Sequence, residues 1–137
     1  MGPDEARLQD VQSWLSKAEL DLRAATYEVS APQAALWGDV LFHSQQAAEK
    51  AMKAFLAWHD APFRKTHNLE ELGQRCVALD ATLGAIADEA APLTEYAWKF
   101  RYPGEPYEPE REEAEQALAT ARNVYSAILS RLPQAPP

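Results

Sequence analysis

HSQQAAEKAMKAFL, residues 43–56, is the stretch that decides the fold class. It is rich in alanine, glutamine and lysine, and holds no glycine or proline to interrupt a helix. Extended over about 33–59, it carries two apolar stripes at helical spacing. One runs Val40, Ser44, Ala47, Ala51, Ala54, Trp58; the other runs Leu41, Ala48, Met52, Phe55. A helix with two apolar faces is buried on two sides, either at the centre of a bundle or between a bundle and a second subunit. The small side chains of Ser44, Ala47, Ala51 and Ala54 suit a close helix approach. Between the stripes lies a polar ridge of Asp39, His43, Gln46, Lys50 and Lys53, stacked over about four turns at steps of four and three.

Upstream, residues 4–29 repeat the helical pattern with Leu8, Val11, Leu15, Ala18, Leu22, Ala25 and Val29 facing a core. Asp10, Lys17 and Glu28 are expected to stay in water. Pro3 suits the start of this helix, and Ser30-Ala31-Pro32 ends it. Downstream, Asp60-Ala61-Pro62 breaks the second helix, and Arg64-Lys65-Thr66-His67 forms a basic loop. Asn68 followed by Glu71 reads as a capping box opening a third helix over 69–79, with Leu69, Leu72, Cys76 and Leu79 inward. A fourth pattern starts near Thr82 and runs through Leu83, Ile86, Ala90, Leu93, Ala97 and Phe100. Pro92 should kink or split it near Ala91. RYPGEPYEPE (101–110) is a loop, and a last helix covers about 109–132 with Ala114, Ala117, Ala121, Val124, Ile128 and Leu132 on its face. Residues 133–137 form a tail. No Val/Ile-rich alternating run and no hairpin dipeptide occurs. The expectation is a single all-α domain over 1–137, an antiparallel bundle of four long helices and one short one, ordered over 4–132.

Thirteen Lys/Arg against 21 Asp/Glu leave a net charge of −8, so any anion must be held by a local patch. The single cysteine, Cys76, excludes an intrachain disulfide framework and a cysteine-based zinc site, and fits a reducing cytosol. The N-terminal MGPDEARLQD lacks the apolar core of a signal peptide, and no apolar window is long enough to span a membrane. A cytoplasmic location follows as an expectation.

No glycine-rich phosphate loop, HExxH pair or repeated Glu-x-x-His occurs, so no metal or other cofactor is expected. Asp39 and His43 could supply two metal ligands; as an exposed polar pair they need none. The ridge is the stronger signal. Seven of the 13 basic residues fall between 50 and 101, concentrating cations in an acidic chain. Lys50 and Lys53 are followed by Arg64, Lys65 and His67, then by Lys99 and Arg101 beside Tyr96, Trp98, Tyr102 and Tyr107. Cations with interleaved aromatics are the materials for a phosphate-and-base site; a salt-bridged surface is the plain alternative.

HSQQAAEKAMKAFL, then KTHNL (65–69), then RYP (101–103) on a helical bundle closely resemble the HEPN (higher eukaryotes and prokaryotes nucleotide-binding) domain family. The resemblance extends from Ala18-Glu19-x-Asp21-Leu22 to the last helix. It implies an all-α bundle that dimerises, a nucleotide or RNA ligand, and a minimal nucleotidyltransferase partner in a toxin–antitoxin-like pair. Under that resemblance Lys50, Lys53, Lys65 and Arg101 take phosphate. His43, Gln46 and His67 supply directional hydrogen bonds, and Tyr102 a stacking face. Ribonuclease members carry Arg-x(4–6)-His, and none of His43, His59 or His67 has arginine at that distance. The nearest match, Lys53 before His59, lacks the forked donor set of arginine. No catalytic residue is assigned on this basis. A divergent metal-independent ribonuclease using one of these histidines, and a ligand-free interaction module, stand as the alternatives.

Overall fold

In the computed structural model residues 2–32, 36–101, 103–104 and 108–133 are described, and among them every regular element is helical. Helix α1 spans Pro3–Val29, α2 Trp37–Trp58, α3 Leu69–Leu79, α4 Gly84–Ala90 and α5 Arg111–Leu129. Two 3-10 turns, Ala81–Leu83 and Ala91–Ala97, flank α4. The third helix has the bounds its periodicity implies, and the first and last differ by one to three residues at their ends. The start expected for the second helix, at residue 33, falls partly outside the described residues; α2 begins at Trp37.

The fourth long helix is a correction. Pro92 has no N–H to give and its ring crowds the carbonyl four residues back, so α-helical bonding stops at Ala90. The chain continues as a 3-10 turn with Pro92 in its first positions. Three helices are therefore long, not four, and the segment from Thr82 to Phe100 is a short helix with 3-10 ends.

Helix α2 lies at the centre. Val40, Leu41, Ser44, Gln45, Ala47, Ala48, Ala51, Met52, Ala54, Phe55 and Leu56 are all at most 1% exposed, which buries both apolar stripes inside one chain, Trp58 at the end of the first being half-buried. Of the two settings open to such a helix, the centre of the bundle is the one found. Helix α1 runs antiparallel to it: Ala25 near the end of α1 clusters with Trp37 and Val40, while Arg7 donates to the Trp58 carbonyl at 3.3 Å. Helix α5 covers α2 with Ala114, Leu118, Val124 and Ile128.

Local devices hold the connections. The Asn68 side chain caps α3 by accepting from the N–H groups of Glu70 and Glu71 at 2.9 and 3.2 Å. The reciprocal half of the capping box is absent, because the Glu71 carboxylate takes Arg64 Nε instead, at 2.9 Å. Thr94 Oγ1 accepts from Leu69 N–H at 3.1 Å and ties the second 3-10 turn to the start of α3. Asp80 accepts from Thr82 and from Arg131, which lowers its carboxyl below the usual range, the Thr82 hydroxyl and N–H contributing most. Cys76 on α3 is buried against the Met52 carbonyl, and burial pushes its thiol up to about 12.

Candidate functional site

The polar ridge on α2 is half-buried from Asp39 to Lys50 and buried at Lys53, and it is lined by partners from three other segments. Helix α1 contributes Trp14, Asp21 and Glu28, seven residues apart and hence on one stripe of that helix. Because the two helices are antiparallel, these meet the ridge in reverse order. Glu28 Oε1 takes His43 Nδ1 at 2.7 Å, Asp21 Oδ2 takes Lys50 Nζ at 2.6 Å, and the Trp14 ring lies 5.5 Å from Lys53 Nζ. Glu28 is thus not left in water; its side chain is only 17% exposed.

On the other flank of α2 the loop that follows it closes over a buried carboxylate. Glu49, 3% exposed, accepts from His67 Nδ1 at 2.7 Å, Lys53 Nζ at 3.0 Å and Gln45 Nε2 at 3.2 Å. Gln45 Nε2 also donates to the His67 carbonyl at 3.0 Å, so the loop is pinned through both backbone and side chain. Gln46 in turn donates to Gln45 Oε1. Phe63 and Trp14 meet edge-on at 6.1 Å beside Lys53, whose ammonium lies 5.8 Å from the Phe63 ring. Lys53 is therefore sealed beneath two rings and held by Glu49. The His67 side chain is 62% exposed, and with Nδ1 turned inward its Nε2 points to solvent. Lys65, two residues earlier, is exposed and has no ion-pair partner among the described residues.

At the N-terminal end of the strip, Arg101 donates to Asp39 Oδ1 at 3.0 Å, and its guanidinium carbon sits 4.0 Å over the Phe42 ring. Asp39 and Glu49 are ten residues apart on α2, about 15 Å at the helical rise. The Arg101 segment and the basic loop thus serve opposite ends of one strip and do not converge on one pocket. Tyr102 and Tyr107 lie outside the described residues. Tyr96 donates to Glu113 on α5.

The fold brings His43, Gln46, Lys50 and Lys53 of α2 together with His67 and Arg101 from two other segments along that helix, each already engaged by a partner. Sequence reasoning missed Glu49 and Gln45. The signal was available as Gln45-x3-Glu49-x3-Lys53, a run of i,i+4 pairs beside an apolar face. Among the described residues no three His, Cys, Asp or Glu side chains gather as a metal site, and no helix is long and apolar enough to cross a membrane.

A central helix covered by its neighbours on two sides, with a polar strip along its flank, defines an all-α helical bundle. The HEPN domain profile matches residues 11–132, and the chain belongs to that family. HEPN domains are a family of nucleotide-binding and ribonuclease-like modules. Among solved structures it is similar to ST0689, an archaeal HEPN homologue, with 26% identity over 88% of this chain and 96% of that one and a TM-score of 0.70. No curated protein matches it.

Proposed function

We propose that this HEPN protein binds the phosphates of a nucleotide or RNA along the polar strip of α2, as a dimer acting beside a minimal nucleotidyltransferase in a toxin–antitoxin-like pair. One observation carries the ligand part of this reading, the Glu49–His67 hydrogen bond. It holds the imidazole with Nε2 outward, in the same loop as Lys65, which has no ion-pair partner among the described residues. There Lys53 and Lys65 outnumber Glu49, which makes a local cationic spot on a chain of net charge −8. His43 and Lys50 arrive with one carboxylate each, so they orient a ligand more than they attract it, and Gln46 adds a neutral donor. Tyr102 remains the proposed stacking face.

The dimer draws support from apolar side chains left uncovered on the outer face of α1, Leu20 at 52% and Tyr27 at 80% exposed. The partner follows from the family resemblance. Isothermal titration with ATP, GTP and a short RNA tests the ligand. Moderate binding that weakens with salt and falls in Lys65→Ala and His67→Ala is expected. Absence of binding at low salt leaves an interaction module.

A ribonuclease is the second reading, and the same hydrogen bond favours it. A neutral His67 that donates Nδ1–H to a buried carboxylate keeps the Nε2 lone pair free to take a proton from a ribose hydroxyl. RNA cleavage that survives a chelator and vanishes in His67→Ala would install this reading in place of simple binding.

A further inference from the structure

We infer that Arg101 is a stacking plate for a nucleobase and that the ligand is a short single strand reaching both ends of α2, an inference that rests on the phosphate-binding reading. An arginine that clamps phosphate presents its N–H edge. Here one donor of that edge, Nη1, is given to Asp39 at 3.0 Å, and the guanidinium carbon lies 4.0 Å over the Phe42 ring. The side chain is 39% exposed, and its face away from Phe42 is open to a planar ring. A planar ring laid there completes a three-layer stack without displacing any contact, whereas a phosphate that takes the Nη1 donor must compete with a carboxylate. Asp39 is itself 40% exposed and keeps acceptor capacity for an exocyclic amino group at the edge of such a ring.

The plate is positioned by the backbone. Phe100 has φ of 68°, in the left-handed region that non-glycine residues seldom occupy, and this turn lays Arg101 back over the first turns of α2. Gly38 permits the approach, since a Cβ there would come within 3.3 Å of Phe100 Cβ. The cationic spot at His67 and Lys65 lies about 15 Å further along the helix. A mononucleotide has one ribose between base and phosphate and cannot occupy both places. A strand of a few nucleotides can.

Isothermal titration at low salt with triadenylate, an abasic strand of equal length and charge, and AMP tests this on wild type, Arg101→Lys and Lys65→Ala. Arg101→Lys keeps the charge and removes the plane, and circular dichroism checks that each variant is folded. Wild type should bind triadenylate about tenfold tighter than the abasic strand. Arg101→Lys should abolish that preference and leave abasic binding unchanged, while Lys65→Ala weakens both strands and preserves it. A preference that survives Arg101→Lys overturns the plate, and AMP binding as tightly as triadenylate overturns the strand. Abasic binding with no preference in wild type sinks this inference alone. Failure of every probe to bind sinks the phosphate-binding reading as well.

Discussion

Helices α1 and α2 meet along two lines of opposite chemistry. The inner line holds Val11, Ala18 and Ala25 of α1 with Val40, Ala47, Ala51 and Ala54 of α2, all at most 1% exposed. The outer line sets Trp14, Asp21 and Glu28 against Lys53, Lys50 and His43. Alanines bring the axes close, but one alanine looks much like another, so the inner line specifies distance better than register. Three different pairs match at only one offset, so the outer line specifies register. It also leaves His43 and Lys50 within reach of solvent while Lys53 is buried, so the polar side of the helix pair grades from half-buried to sealed.

The harshest way to break that division is Ala51→Glu. Ala51 is 0% exposed inside a single chain, so the carboxylate has neither water nor a partner, and the cost of several kcal/mol rivals the whole stability of a small domain. Loss of the cooperative thermal transition in circular dichroism is expected. A folded variant that merely changes its mass in sedimentation would show that the alanine line is an interface between copies.

Glu49→Ala comes next. It strands the buried Lys53 ammonium, whose side chain is 7% exposed, and should cost about 3 kcal/mol in urea unfolding. A loss below about 1 kcal/mol would mean that Lys53 escapes to water, as exposed pairs do. Asp21→Ala, on the outer line proper, removes a partner from the half-buried Lys50 and should cost about 1 kcal/mol, shrinking as salt is added. A larger, salt-independent loss would make the outer line as structural as the inner.

Ser44→Ala is the mildest and the most diagnostic of the inner line. Ser44 Oγ is buried with no hydrogen-bond partner among the described residues. Replacing it removes a desolvated hydroxyl and fills nearly the same space, so stability should hold or rise slightly in the same urea assay. A clear loss would reveal a partner for that hydroxyl.

What could be read in advance follows from how local each cause is. The Asn68 cap, the break before Pro92 and the stripe of Val11, Ala18 and Ala25 are set by residues within one or two turns, and each was legible. The two apolar faces of α2 were legible as buried, but periodicity says that a face is covered, not by what; α1, α5 and the second 3-10 turn supply the cover within the chain. The polar strip was legible as a row of cations. Its counter-charges were not, because they come from residues up to 62 positions away, as Asp39 and Arg101 show. The seven-residue spacing of Trp14, Asp21 and Glu28 was a usable hint, passed over because a lone Glu28 on a helix reads as solvated.

Cys76 is the chain's only cysteine, and its thiol is raised to about 12 and covered by α2. At neutral pH almost none of it is the reactive thiolate while the bundle is closed. Alkylation then proceeds only in moments when α3 lifts away from α2, so its rate counts those openings. The native protein carries its own clock for the fluctuations of its central helix, readable by mass spectrometry with no label built in, and a ligand that clamps the loop between α2 and α3 should slow it.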